Sequence, residues 1–238
     1  KSKGNVVPPS SVIDPYGADT MRLAILFIAP PEKDFNWDEE VVAGANRFIK
    51  RAWRVVWQLA QAGGEGPVDV APLDARSKAL WRSLNALGVK CTSDFDRGRF
   101  NTAISAVMEI TNAASKYVSE PGERDAALCR RVAGAIVRTL APICPHWAEE
   151  LWHEALGQQG SVYDAAWPEF DANAARADEV QIAVQIKGKV RAHVTVPADA
   201  PDDDVAGLAQ EAVAAQLAGK TVKKVIVIKG RLVNIVAV

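Results

Sequence analysis

Val180-Gln-Ile-Ala-Val-Gln-Ile-Lys-Gly-Lys-Val-Arg-Ala-His-Val-Thr-Val-Pro197 decides the fold, because here the apolar period changes from that of a helix to that of a strand. Val180, Ile182, Val184 and Ile186 alternate with Gln181, Ala183 and Gln185, the two-residue repeat of a half-buried strand. Lys187-Gly-Lys189 turns the chain. Beyond it Val190, Ala192, Val194 and Val196 are expected to face inward, and Arg191, His193 and Thr195 outward, which makes a β-hairpin. Asp202 to Leu217 reads as an amphipathic helix whose Asp-rich first turn complements the helix dipole. Lys224 to Ile228 and Leu232 to Val236 give a second hairpin around Lys229-Gly-Arg231. The stretch 180–238 therefore predicts a small β-β-α-β-β module.

Upstream the period is 3.6. Glu39 to Ala60 carries Val42, Ala45, Phe48, Ile49, Ala52, Trp53, Val56 and Leu59 at helical spacing, and Gly63, Gly64, Gly66 and Pro67 end it. Further helices are predicted over Ala75 to Leu87, Phe100 to Tyr117, Glu123 to Leu140 and Trp147 to Leu156. Five such runs joined by short polar breaks suggest a bundle. Ahead of them, prolines at 8, 9, 15, 30 and 31 punctuate the chain around one short helix, Ala18 to Ile28, with Asp19 or Thr20 as its cap. The fold class is α+β. Its expected divisions are 1–37, a helical domain over 38–170, a flexible tether over 171–179 and the module over 180–238.

Net charge is −1 with 24% charged residues, so any nucleic-acid surface must come from local segregation of charge. Three cysteines without CxxC spacing argue against a disulfide framework and against zinc. His146 lacks a Cys or His partner at metal spacing and reads as a helix-start residue, and His153 as a surface one. No apolar run approaches the ~20 residues of a membrane span, which sets a soluble, cytoplasmic protein as the expectation.

Charge does segregate. Arg47, Lys50, Arg51 and Arg54 fall within two turns of one helix, with Trp53 and Trp57 among them as core or stacking residues. They read either as a solvated face or as cations that meet phosphates along an RNA stem. Arg97 and Arg99, in the turn before Phe100, carry the same two readings. In the module, Lys187, Lys189, Arg191, Lys220, Lys223, Lys224, Lys229 and Arg231 lie in or beside the strands, whereas the acids sit in the entry linker (Asp178, Glu179) and on or near the helix. That predicts one basic edge made of turns, suited to a backbone-reading RNA contact.

The chain opens on Lys1-Ser-Lys-Gly-Asn5, followed by Asp14-Pro-Tyr-Gly-Ala-Asp-Thr-Met-Arg22. The first phrase resembles the tail of the KMSKS loop of class I aminoacyl-tRNA synthetases, with Lys1 its second lysine and Ser2 its last residue. The phrases at 14–23, 29–37, 44–53, 100–112, 140–152, 184–197 and 223–236 are similar to those of bacterial leucyl-tRNA synthetases, nearly along the whole chain. The resemblance implies the C-terminal portion of an enzyme that uses ATP with Mg2+ to attach leucine to tRNA(Leu). It implies a helical anticodon-binding-type domain and a small C-terminal module that contacts tRNA. Lys1 would then serve the ATP phosphates beside Ser2, and Lys187, Lys189, Arg191, Lys229 and Arg231 would contact tRNA. For these residues alone no cofactor and no activity are expected, and the protein is expected to be monomeric and away from membranes. Two alternatives stand beside this reading. One is a non-catalytic RNA-binding module derived from such an enzyme. The other is a valyl, isoleucyl or methionyl synthetase, although the Cys-rich end of an isoleucyl enzyme and the coiled-coil heptads of a valyl one are not found.

Overall fold

The computed structural model describes residues 6–64, 66–175, 179–197, 200–228 and 231–237. The chain divides into two compact units, 1–175 and 176–238. Lys1, Ser2 and Lys229 lie outside the described residues.

The first unit is helical. It runs through α1 (Ser10–Tyr16), α2 (Ala18–Ile28), α3 (Glu39–Ala60), α4 (Ala75–Asp96), α5 (Phe100–Ser119), α6 (Ala126–Leu140) and α7 (Pro145–Glu150). A single π-turn, Leu151–Ala155, continues α7. Aspartates start three of these helices, each accepting from a backbone N–H that would otherwise be orphaned. Asp38 caps α3 through the Glu40 amide, Asp74 caps α4 through Ser77, and Asp125 caps α6 through Leu128. Leu23, Phe48, Val56, Leu84, Ile104, Ile110, Leu128, Ile136 and Leu151 share one buried core. Because Leu23 and Ala24 are fully buried in it, α2 belongs to the same unit as the later helices.

Four helical details differ from expectation. Asp19 caps not its own helix but α7. Its carboxylate accepts from the Trp147 amide at 2.6 Å and meets His146 Nδ1 at 3.0 Å. Thr20 bonds back to the Tyr16 carbonyl instead of capping. Beside them Arg22 donates to the Ile143 and Pro142 carbonyls at 2.8 and 2.9 Å. The motif over 14–22 thus latches α2 onto the start of α7. Second, α4 runs nine residues past Leu87 to Asp96, straight through Gly88. The ring of Phe170 fills the space that a side chain at 88 would need. Trp167 bonds Thr92 at 2.9 Å, and the Asp171 amide bonds Asn85 at 2.8 Å, so the segment after α7 is strapped along α4. Third, α7 begins at Pro145, where the missing N–H costs nothing. Fourth, α6 begins at Ala126, after its Asp125 cap.

The second unit contains β1 (Glu179–Ile186), β2 (Lys189–Pro197), α8 (Asp202–Ala212), α9 (Ala214–Leu217), β3 (Val222–Ile228) and β4 (Leu232–Ala237). The sheet order is β2-β1-β4-β3. Each hairpin is antiparallel, but the central pair, β1 and β4, is parallel. Ile182, Val184, Val233 and Ile235 pack with Val205, Ala209 and Val213 in a second core. The predicted single helix over 202–217 is broken at Val213, whose backbone (φ −119°, ψ 19°) leaves the helical region while its side chain stays fully buried. Val190, expected inward, is 50% exposed. A bulge causes this: Val184 pairs with Ala192 and Gln185 with Val190, which leaves Arg191 as the extra residue and places Val190 on the outer face.

Candidate nucleic-acid interface

In the helical unit the cations predicted on α3 do not behave alike. Arg47, Lys50 and Arg54, spaced three and four apart, are exposed on one face and make no ion pair among the described residues. Arg51 is half-buried, lies 5.9 Å from the Phe48 ring centre, and buries its Nε without a partner among the described residues. It acts as a packing residue more than a surface charge. Lys50 and Arg54 rim a recess of about 430 Å³ floored by Ile49, Trp53 and Trp147. Trp147 closes it from α7 and donates its indole N–H to the Ile49 carbonyl at 3.3 Å. Trp53 and Trp57 are both partly buried against the core, so each combines a packing role with one accessible side. An apolar floor of indoles under one ammonium and one guanidinium group suits stacking and phosphate pairing together.

Arg97 and Arg99 flank Gly98 in the tight turn between α4 and α5, and both are exposed. Arg99 is partly committed. Burial raises the pKa of Asp94, but the Lys90 hydrogen bond, Thr102 and the Lys90 and Arg99 charges outweigh it and hold the carboxyl below its ordinary range.

In the second unit Lys187 adopts a left-handed φ of 51° and Gly188 one of 78°, the two-residue hairpin geometry. The turn is held by the Lys187 amide on the Ile235 carbonyl at 3.1 Å and the Gly188 amide on Asn234 Oδ1 at 3.3 Å. Lys187, Lys189, Arg191 and Arg231 are all exposed. They do not form one edge, however. Because β4 runs parallel to β1 with Leu232 opposite Ala183, the start of β4 lies at the opposite end of that strand from the level of the turn after β1. Arg231 falls level with Ile182, five positions below Lys187, which at ~3.3 Å per residue is about 16 Å along the strands. Lys223 and Lys224 take the place expected for it. Lys224 pairs with Val236, level with Lys187, and both lysines are exposed. One end of the sheet therefore carries Lys187, Lys189, Lys223 and Lys224, while Arg191, in the bulge level with Val184 and Gln185, sits midway between that end and Arg231. The grouping rests on strand direction, which the alternation of residues does not encode.

Among the described residues no group of three or more His, Cys, Asp or Glu is placed to hold a metal ion. The buried thiols are not poised for chemistry. Burial pushes Cys91 up to about 12 and Cys129 up to about 11, and raises Cys144 further. No helix among the described residues is long and apolar enough to cross a membrane.

Residues 77–206, more than half of the chain, match the family described as the anticodon-binding domain of tRNA ligase. The chain belongs to that family. Relatives extend the similarity beyond the matched residues. The leucine–tRNA ligase of Geotalea daltonii is 44% identical over 99% of this chain and 29% of its own length. Those of Shewanella sediminis and Alcanivorax borkumensis are 45% and 46% identical over 100% of this chain, and 28% and 29% of their own lengths. The chain thus spans under a third of these curated relatives. The structure of a LeuRS–tRNA–LeuAMS ternary complex from Agrobacterium radiobacter K84 superposes with a TM-score of 0.82 at 25% identity, covering 100% of this chain and 31% of that one. The anticodon-binding match begins inside α4 and ends inside α8, so it leaves out α1 to α3 and crosses the division at 175.

Proposed function

We propose that this chain is part of a leucine–tRNA ligase and that its own work is to dock tRNA(Leu). The observation that carries the proposal is similarity to leucine–tRNA ligases over 99–100% of the chain at 44–46% identity. In this reading the whole enzyme uses ATP, with Mg2+, to join leucine to tRNA in the cytoplasm, and Lys1 and Ser2 serve the ATP phosphates. The exposed cations are assigned to the RNA: Lys187 and Lys189 with Lys223 and Lys224 at one end of the sheet, Arg191 midway along it and Arg231 at the other end. Lys229, outside the described residues, is assigned with them on the sequence alone. Arg47, Lys50, Arg54 and Arg97 are assigned to it on the helices, with lesser parts for Arg51 and Arg99.

The test is binding of the chain to tRNA(Leu) and to a tRNA with a short variable arm across a salt series. Each phosphate contact contributes about 0.7–0.9 to the slope of log affinity against log salt. Lys187→Gln with Lys224→Gln should lower that slope by about two, and Arg231→Gln by one or less. Equal affinity for both tRNAs, with a slope that none of these changes moves, would refute the docking role of the sheet.

A further inference from the structure

One charged cavity remains outside the residues assigned to tRNA. Arg130, Arg131 and Arg138 project from α6 into a cavity of about 260 Å³, with Gly134 between them and Trp152 and Gln158 opposite. None of the three arginines pairs with a carboxylate among the described residues. Their partners are backbone carbonyls: Leu156 for Arg130, Glu169 for Arg131, and Gly134 and Ala166 for Arg138 at 3.1 and 3.0 Å. A guanidinium carries five N–H donors, so each retains donors that these carbonyls do not use. Burial, and next the Arg131 charge, push the Arg138 guanidinium below its ordinary value. Trp152, on the cavity wall, buries its indole N–H with no acceptor among the described residues.

Three half-buried like charges with no counter-charge are costly unless an anion joins them. A carboxylate offers two oxygens in one plane to three guanidinium groups. A tetrahedral phosphate group offers oxygens in several directions, and guanidinium forks match them. We propose that Arg130, Arg131 and Arg138 form a binding site for a phosphate group, with Trp152 on its wall. The group is either free inorganic phosphate or a phosphodiester of an RNA backbone, and the site stands whether or not the sheet docks tRNA.

The test follows the Trp152 indole resonance of the 238-residue chain in proton–nitrogen correlation spectra, assigned through Trp152→Phe. Inorganic phosphate and then a short RNA hairpin are added, with chloride at matched ionic strength as control. A saturable shift with inorganic phosphate identifies free phosphate as a ligand. A shift with RNA alone identifies the backbone phosphodiester. In either case Arg131→Gln and Arg130→Gln should each weaken the response about tenfold or more. The proposal is overturned if neither probe moves the resonance beyond chloride, or if both variants melt like the parent and respond unchanged. Should either variant fail to fold, the parent titration against chloride decides alone.

Discussion

Replacing Gly88 by alanine should destabilise the helical unit, and the sign of the effect is what tests the packing. In an open helix interior the same change stabilises by roughly 0.5–1 kcal/mol, because glycine has more backbone freedom to lose on folding. Here a Cβ at 88 would lie 2.2 Å from Phe170 Cδ1 and 2.3 Å from Cε1, closer than two carbons can approach. The ring must leave α4, and forcing extra carbon into packed space costs about 1–3 kcal/mol. Subtracting the helix gain leaves a net loss of up to about 2.5 kcal/mol. Phe170→Ala empties the contested space. In that background Gly88→Ala should turn stabilising by up to about 1 kcal/mol. Urea unfolding followed by far-ultraviolet circular dichroism, run on both single variants and the double, reads the sign change directly. Equal signs in the two backgrounds, or a more stable Gly88→Ala single variant, would refute the seat of Phe170 on α4.

Asp19→Ala should cost about 2 kcal/mol by chemical denaturation, since it strips a charged acceptor from the first turn of α7 and orphans the Trp147 amide. A loss below half a kilocalorie would mean that water replaces the carboxylate freely. The three cysteines should resist a thiol reagent at mildly alkaline pH in the folded protein and all react after unfolding, because burial raises each thiol. Rapid labelling of any one in the folded chain would contradict its burial. Acid should weaken the helical unit. Bonds from the Ser161 hydroxyl and Val162 amide lower Glu149 from 4.5, and those from Ser77 lower Asp74 from 3.8, so their contribution is complete above these values and is lost as pH falls through the lower folded ones. Thermal melts should drop below about pH 4.5, and Glu149→Gln should flatten that fall; an unchanged acid limb would count against the Glu149 bonds.

What could be read in the residues depended on how far away the deciding partner lay. The limits of α2 and α3, Ala18–Ile28 and Glu39–Ala60, follow from local pattern and the Asp38 cap, and the structure has both at those positions. The helix expected over Ala75 to Leu87 runs on through Gly88, whose partner, Phe170, is remote in sequence. Asp19 looked like a local cap because its true partner amide lies 128 residues ahead. Val190 was placed inward by an alternation that the bulge at Arg191 interrupts. The basic residues of the sheet were visible as a set. Their sorting into two ends was not, because it follows from parallel pairing of strands separated by a hairpin and a helix. The Arg130–Arg131–Arg138 cavity was missed altogether, although Arg131 and Arg138 stand seven positions apart on α6 around Gly134, a signal that could have flagged it.

The parallel centre of the sheet also dictates an order of events. β4 is synthesised after the other three strands, yet it lies between β1 and β3 and supplies Val233, Ile235 and Ala237 to the core. A nascent chain can close the β1–β2 hairpin and lay α8 against β2 early, but the inner edge of β1 has no partner until β4 has left the ribosome. Until then β3 has no strand to pair with. The module therefore assembles in one late step, and a premature stop before Leu232 would remove the middle of the sheet, not trim its edge.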